Sequence, residues 1–377
     1  MQIPLAKPWI GEEEIEAVAE VLRSGWIIQG PKVKEFEDQF ARYQQTKYAV
    51  ACNSCTAALH ISLAAIGIKP GDEVIVPAFS FIASANVVLY QGAKPVFVDV
   101  NPSTYNIDPE KIEEKVTKKT RAIIPVHLFG QPADMEPISE IAEPHDIYVI
   151  EDAACAHGAE YHKKRVGGLG DAGCFSFHPR KPITTGEGGM ITTNDEEIAR
   201  KARAIRSHGM GLETWERTKD MKLNLPSFSI LGYNYRMTDI SAAIGLIQMK
   251  RIDDAIERRI KVAKRFNEAI TKIDGIKPPK VIEGVRHVYQ SYVCKVDLNK
   301  HSRDDIILGL SKRGIAAQIG TQAIHLEPLY RQYGYKKGDF PGCEDAFFTT
   351  LSLPIFAEIT DEQIDQVIDV ILDIINA

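Results

Sequence analysis

The chain lacks an apolar run that would cross a membrane: no stretch approaches about 18 uninterrupted apolar residues. Its opening residues, MQIPLAKPWIGEEEIE, hold no apolar core of signal-peptide length. Cysteine is scarce, six in 377 residues, which excludes a disulfide scaffold. Basic excess is missing too, with 45 Lys and Arg against 51 Asp and Glu and a net charge of −6. That balance leaves no electrostatic footprint for nucleic acid or an anionic membrane surface. A local basic patch for a phosphorylated small molecule stays compatible with it. Neither internal repeats nor low-complexity segments are present. What is there is ordinary globular material, 44% apolar and 25% charged. At roughly 150 residues per domain the length predicts two domains or three. The expectation is a cytoplasmic, soluble, two-domain protein.

From residue 48 onward, apolar β-branched runs alternate with helical patterns. Tyr48 to Cys52, Glu73 to Pro77, Pro95 to Val100, Ala122 to Val126 and Ile147 to Asp152 read as strands. Between them, Thr56 to Ile66, Phe81 to Tyr90, Asp108 to Val116 and Asp134 to Ala142 read as helices. The strand runs are continuous rather than alternating, as expected of a parallel sheet buried on both faces. Repeated strand–helix units predict an open, doubly wound α/β domain. Cys174 to Phe177 and Met190 to Thr193 predict two further short strands, and 209–228 reads as a long loop. An apolar stripe from Ile252 to Ile273 predicts a long amphipathic helix stopped by Gly275. The boundary is placed there: a large domain over 1–250 with an N-terminal arm, and a smaller C-terminal α/β domain over 251–377.

Four segments at predicted strand ends carry candidate chemistry, since ligands of open α/β sheets bind beyond the carboxyl ends of strands. Ser54-Cys55-Thr56 opens a buried helix, where hydroxyls and free N–H groups form an anion site; an ordinary N-cap fits as well. Glu151-Asp152 ends an apolar strand, so a carboxylate there meets a donor or cation, functional or structural. Ser176-Phe-His-Pro-Arg-Lys181 precedes a Gly-rich loop. A lysine so placed suits Schiff-base chemistry, though a solvated lysine is the commoner case. Asn234-Tyr-Arg236 is a dense polar cluster opening an Ala-rich helix. Cys52-x-x-Cys55 invites a redox or zinc reading, but no second pair at ligand spacing supports it. Together, an anion cradle, a buried carboxylate and a reactive lysine are what pyridoxal phosphate needs: a phosphate site, a partner for its pyridinium nitrogen, and an amine for its aldehyde.

The same segments, with Gly25-Trp26, Gly30-Pro31, Phe36-Glu37, Pro77 to Phe81, His127 to Gly130, Ala156 to Ala159 and Leu351 to Pro354, closely resemble the DegT/StrS-type sugar aminotransferases, fold-type-I pyridoxal phosphate enzymes. The resemblance covers nearly the whole chain. It implies a mostly parallel central sheet flanked by helices, with a smaller C-terminal α/β domain. It implies that Lys181 forms the Schiff base and moves protons, that Asp152 holds the pyridinium nitrogen, and that Phe81 stacks on the ring. Ser54, Cys55, Thr56 and Ser176 would surround the phosphate, and Asn234 would reach it from the partner subunit of a homodimer with shared active sites. His127, Arg236, Thr321 to His325, Tyr330 and the loop 209–228 would line the sugar–nucleotide pocket. No metal site is expected.

Two positions depart from the family pattern. Cys155 stands near the cofactor ring hydroxyl where Gln or His is common, and a thiol is a weak donor. Arg180 stands where a small residue is common and adds a charge beside the lysine. The family's dehydratases carry His in place of the lysine, so Lys181 favours amino transfer. The expected reaction is ping-pong, from glutamate, releasing 2-oxoglutarate, to a keto carbon of a nucleotide-linked keto-deoxysugar. C4 is preferred; alternatives are a 3-keto sugar, a cyclitol, or a non-catalytic cofactor-binding regulator.

Overall fold

Seven strands build the central sheet: β1 (Tyr48–Cys52), β2 (Glu73–Pro77), β3 (Lys94–Val98), β4 (Thr120–Ile123), β5 (Tyr148–Asp152), β6 (Ala172–Ser176) and β7 (Gly189–Thr193). Their order is β1-β7-β6-β5-β4-β2-β3. From β6 to β3 every pairing is parallel, while β7 runs antiparallel to both its neighbours. This computed structural model describes residues 2–210 and 227–376. The sheet is mostly parallel and its strands are buried on both faces, as the continuous apolar runs require.

Helices α1 (Glu12–Ser24), α2 (Pro31–Gln44), α3 (Cys55–Ala65), α4 (Ala83–Tyr90), α5 (Met135–Ala142), α6 (Glu196–Arg206) and α7 (Asp239–Met249) surround it. Helix α3 is apolar nearly all round because it is enclosed, packing on β6 and β7 as well as on α4 and α6. A buried ion pair fixes the strand that feeds it. Arg206 Nη1 donates to Glu37 Oε1 and to the Ala51 carbonyl, both at 2.6 Å, joining α6, α2 and β1.

Helix α8 (Ile252–Ile270) links two cores. Ile252 and Ile256 pack with Phe36, Phe40 and Phe177 of the large unit. Val262, Ala263, Phe266 and Ile270 pack into a C-terminal core. That core covers a second, antiparallel sheet of β8 (Ile276–Lys277), β9 (Tyr292–Val296), β10 (Gln318–Ile319) and β11 (Thr350–Leu353), in the order β8-β9-β11-β10. The N-terminal arm belongs to this unit, for Ile3 is buried in the C-terminal core and bridges Ile315.

One predicted helix is corrected. Asp108 to Val116 forms two 3-10 turns, Pro109–Lys111 and Glu113–Lys115. Within the segment only Ile112 is deeply buried, with Ile107 buried just before it. One central apolar anchor cannot hold an amphipathic helix to a core. Most of the loop expected over 209–228 lies outside the described residues.

Candidate active site

The carboxyl ends of β1, β5 and β6 open into one cleft of about 460 Å³, closed on the far side by residues just before β9 and by β10 with the residues that follow it. Ser54, Cys55 and Thr56 line it at the start of α3. Ser54 Oγ accepts from Ala57 N at 3.1 Å, so it caps the helix as the ordinary reading has it. The amides of that first turn point out of the helix toward the cleft end. The approach is tight: a Cβ on Gly189 would lie 2.3 Å from the Ser54 carbonyl carbon and 2.7 Å from Cys55 N. Only glycine lets β7 pass beneath this turn.

The two neighbouring carboxylates of β5 part company because successive strand residues face opposite ways. Glu151 turns from the cleft and is fully buried. It accepts from Gly167 N at 2.6 Å, from Leu169 N and Gly170 N at 2.8 Å each, and faces His127 Nε2 at 2.9 Å. Asp152 lines the cleft. It accepts from Ser84 Oγ at 2.7 Å and Ala154 N at 3.2 Å. Burial raises its pKa above the usual carboxylate range, against those hydrogen bonds and the charge of Lys181.

Lys181 sits in the turn leaving β6, and its Nζ donates to Cys155 Sγ at 3.1 Å. Ser176, Phe81 and Cys155 line the same cleft. Phe81 is 61% exposed, its ring set over the opening rather than in a core. His157 lies behind the lysine turn among Phe40, Phe175 and Phe177. Burial first, then Lys181 and Arg259, lower its pKa to about 3, so it is neutral.

The structure therefore brings Ser54, Cys55, Thr56, Phe81, Asp152, Cys155, Ser176 and Lys181 together. His127, His325 and Tyr330, expected at the substrate pocket, do not line this cleft. His127 is fully buried, with Nδ1 accepting from Ala133 N at 3.0 Å and Nε2 on Glu151. His325 is enclosed against Phe340, with Nε2 3.2 Å from Glu344. Tyr330 packs on Phe97 and donates to Asn86 Oδ1 at 2.7 Å. Asn234 is exposed, and it and Arg236 lie outside the cleft of their own chain. The backbone beside them braces it, since Asn53 N donates to the Tyr235 carbonyl at 2.9 Å.

Sequence reasoning missed Ser84, Gln290, Ser291 and Gln318. Ser84 left one signal, a hydroxyl on an otherwise apolar helix face; the others left none. Thr321 and Gln322, inside an expected stretch, do line the cleft. No cluster of three or more His, Cys, Asp or Glu suited to a metal exists among the described residues.

The donor set fits pyridoxal phosphate. A primary amine, a buried carboxylate and a hydroxyl-lined helix start share one cleft, and Gly189 leaves the cradle unobstructed. The profile of the DegT/DnrJ/EryC1/StrS aminotransferase family matches residues 8–372. The chain belongs to this family. It is 42% identical over 372 residues to GDP-perosamine synthase of Caulobacter vibrioides, covering 97% of this chain and 96% of that one. It is 42% identical over 378 residues to the spore coat polysaccharide biosynthesis protein SpsC of Bacillus subtilis, covering 99% and 97%. The putative sugar aminotransferase Spr1654 from Streptococcus pneumoniae, in its PMP form, superposes with a TM-score of 0.93 at 31% identity over 99% of both chains. The same protein in its PLP form gives 0.92. This aminotransferase therefore has the fold-type-I architecture, uses pyridoxal phosphate and acts on a sugar with an amino donor. No described helix is long and apolar enough to cross a membrane.

Proposed function

We propose that this aminotransferase moves an amino group from glutamate to the C4 keto carbon of a nucleotide-linked keto-deoxysugar, in the cytoplasm, as a homodimer with shared active sites. The observation that carries the chemistry is the meeting of Lys181, Asp152 and the α3 cradle in one cleft. A relative named for a GDP-linked sugar supports a nucleotide sugar as acceptor. The preference for C4 rests on the family resemblance.

Pyridoxal phosphate, when bound, supplies an electron sink for charge left on the carbon that exchanges nitrogen. Lys181 Nζ would hold its aldehyde carbon until the donor's amine displaces it; once free, it would take a proton from the donor's α carbon and, in the second half-reaction, deliver one to the sugar carbon that gains nitrogen. Asp152 would keep the ring nitrogen protonated, and its burial strengthens that contact because little water competes. Ser54, Thr56 and Ser176, with the first amides of α3, would bind the phosphate. Phe81 would cover the ring face, and Cys155 would stand beside the ring hydroxyl.

Dimer supply of Asn234 has support in surface composition. Ile27 and Ile28 are exposed apolar residues beside α7, whose first amide donates to the Ile28 carbonyl at 3.1 Å, and Phe228, Ile230 and Leu231, shortly before Asn234 in the chain, are exposed as well. Exposed apolar side chains of this size suit an interaction surface.

The test is covalent. Borohydride treatment of the holoenzyme should leave the pyridoxyl group on Lys181 in peptide maps. Label on another lysine would sink the assignment. Product mass from 4-keto and 3-keto nucleotide sugars with glutamate then decides the regiochemistry.

A further inference from the structure

One cation of the cleft has no task. Arg180 precedes Lys181 and lines the same cleft. Its backbone is anchored on both sides. Its N–H donates to His178 Nδ1 at 3.3 Å, and its carbonyl accepts from Gln290 Nε2 at 3.0 Å. Gln290 is itself buried, and its carbonyl accepts from the buried Arg259 at 3.1 Å. The Arg180 guanidinium makes no hydrogen bond or ion pair among the described residues. Five donors in a fixed fork are thus left for a ligand.

The other charged residues of the cleft are accounted for. Asp152 is held by Ser84 and Ala154, and Lys181 is needed for the cofactor. Glu187 is negative. Burial holds the His178 imidazole below its ordinary range; Glu187 opposes that shift, while Lys181 and Arg180 add to it. Arg180 is the remaining cation lining this cleft among the described residues.

Substrate chemistry says which anion belongs beside the lysine. The α-carboxylate of an amino acid is one bond from the carbon that gives up nitrogen. The diphosphate of a nucleotide sugar hangs from C1, several bonds from a keto C4. A guanidinium adjacent to Lys181 matches the first and not the second. We propose that Arg180 binds a carboxylate of the acidic amino donor. This rests on the reading of the chain as a glutamate-dependent aminotransferase.

The experiment uses holoenzyme and glutarate, which carries two carboxylates but neither amine nor keto group. Calorimetric titration compares wild type, Arg180→Gln and Arg180→Lys. Loss of a charge-assisted fork should weaken glutarate roughly 10- to 100-fold in Arg180→Gln, with partial recovery in Arg180→Lys. The KM for glutamate should rise in parallel while that for the nucleotide sugar holds. Unchanged glutarate affinity in Arg180→Gln overturns the proposal. Loss of cofactor from the variant, with glutarate affinity intact in the fraction that remains loaded, also overturns it and gives the guanidinium to the cofactor phosphate. A drop in affinity for a nucleoside diphosphate alone overturns it in favour of the acceptor. Wild-type protein in which borohydride leaves no pyridoxyl group on Lys181 overturns the aminotransferase reading, and the role of Arg180 with it.

Discussion

Asp152 is costly to the protein without cofactor and useful with it. Burial disfavours its charged form, so its carboxyl titrates above the usual range in the folded chain. A raised carboxyl pKa contributes stability that is present below the unfolded value, about 4, and is lost as pH rises through the folded value. Asn removes that loss. Cofactor-free Asp152→Asn should therefore gain thermal stability relative to cofactor-free wild type between about pH 4 and neutrality. Melting curves at both ends of that range check the sign, and a gap that does not widen toward neutrality refutes it. In the loaded enzyme the effect reverses, because the ring nitrogen loses its partner. The first half-reaction should slow roughly 100- to 1,000-fold, the scale for removing one preorganised charge-stabilising group. Stopped-flow measurement with glutamate reads it, and near-normal turnover would place the functional carboxylate elsewhere. The sequence placed Glu151 and Asp152 together at a strand end. Which of them faces the cleft depends on the pleat, and the partners of Glu151 on a loop that follows the strand. His127 and His325 show the limit more sharply. Their polar partners Glu151 and Glu344 are distant in the chain, so nothing local marks these rings as enclosed.

The loop 167–170 hangs on one side chain. Three of its amides end on Glu151, which makes that carboxylate a bracket between β5 and the entry to β6. Glu151→Ala leaves those donors and His127 without their acceptor inside a dry region. The expected cost is about 3 kcal/mol or more in urea unfolding. Amide exchange should accelerate first at Gly167, Leu169 and Gly170; uniform acceleration across the sheet would argue against the bracket. Elements of this kind were legible where one physical rule dominated. The strands were, because a parallel sheet buried on both faces needs unbroken apolar runs. Helix α3 was, because its apolar surface has no solvent side. The stretch after Asp108 was not, since its helix-like spacing reflects a single buried Ile112. The cleft wall just before β9 and along β10 was also hidden. Gln290 and Gln318 are ordinary polar residues until a second sheet carries them across from Lys181.

Cofactor bound across a subunit interface links occupancy to assembly by mass action. If Asn234 completes the partner's phosphate site, the protein without cofactor should dissociate at higher concentration than the loaded form. Asn234→Ala should weaken cofactor affinity while leaving the pyridoxyl label on Lys181. Light scattering at working concentration checks this, and an active, fully loaded monomer refutes it. Another long-range tie lies at the opposite end of each chain. Ile3 exchanges hydrogen bonds with the backbone at Gly314 and Ala316, at 2.9 Å each, and the Leu5 carbonyl accepts from Ile355 N at 3.0 Å. These are contacts of extreme sequence separation, and a ribosome adding about 5–20 residues per second delivers the two sides on the order of tens of seconds apart. Through that interval Ile3 and Leu5 wait without their partners, exposed to proteases and to chaperones that bind unseated apolar segments. The C-terminal sheet, in turn, closes only once β11 has been made, because that strand pairs with both β9 and β10. Ile3 is made long before the backbone it pairs with, and it is seated only once that backbone exists.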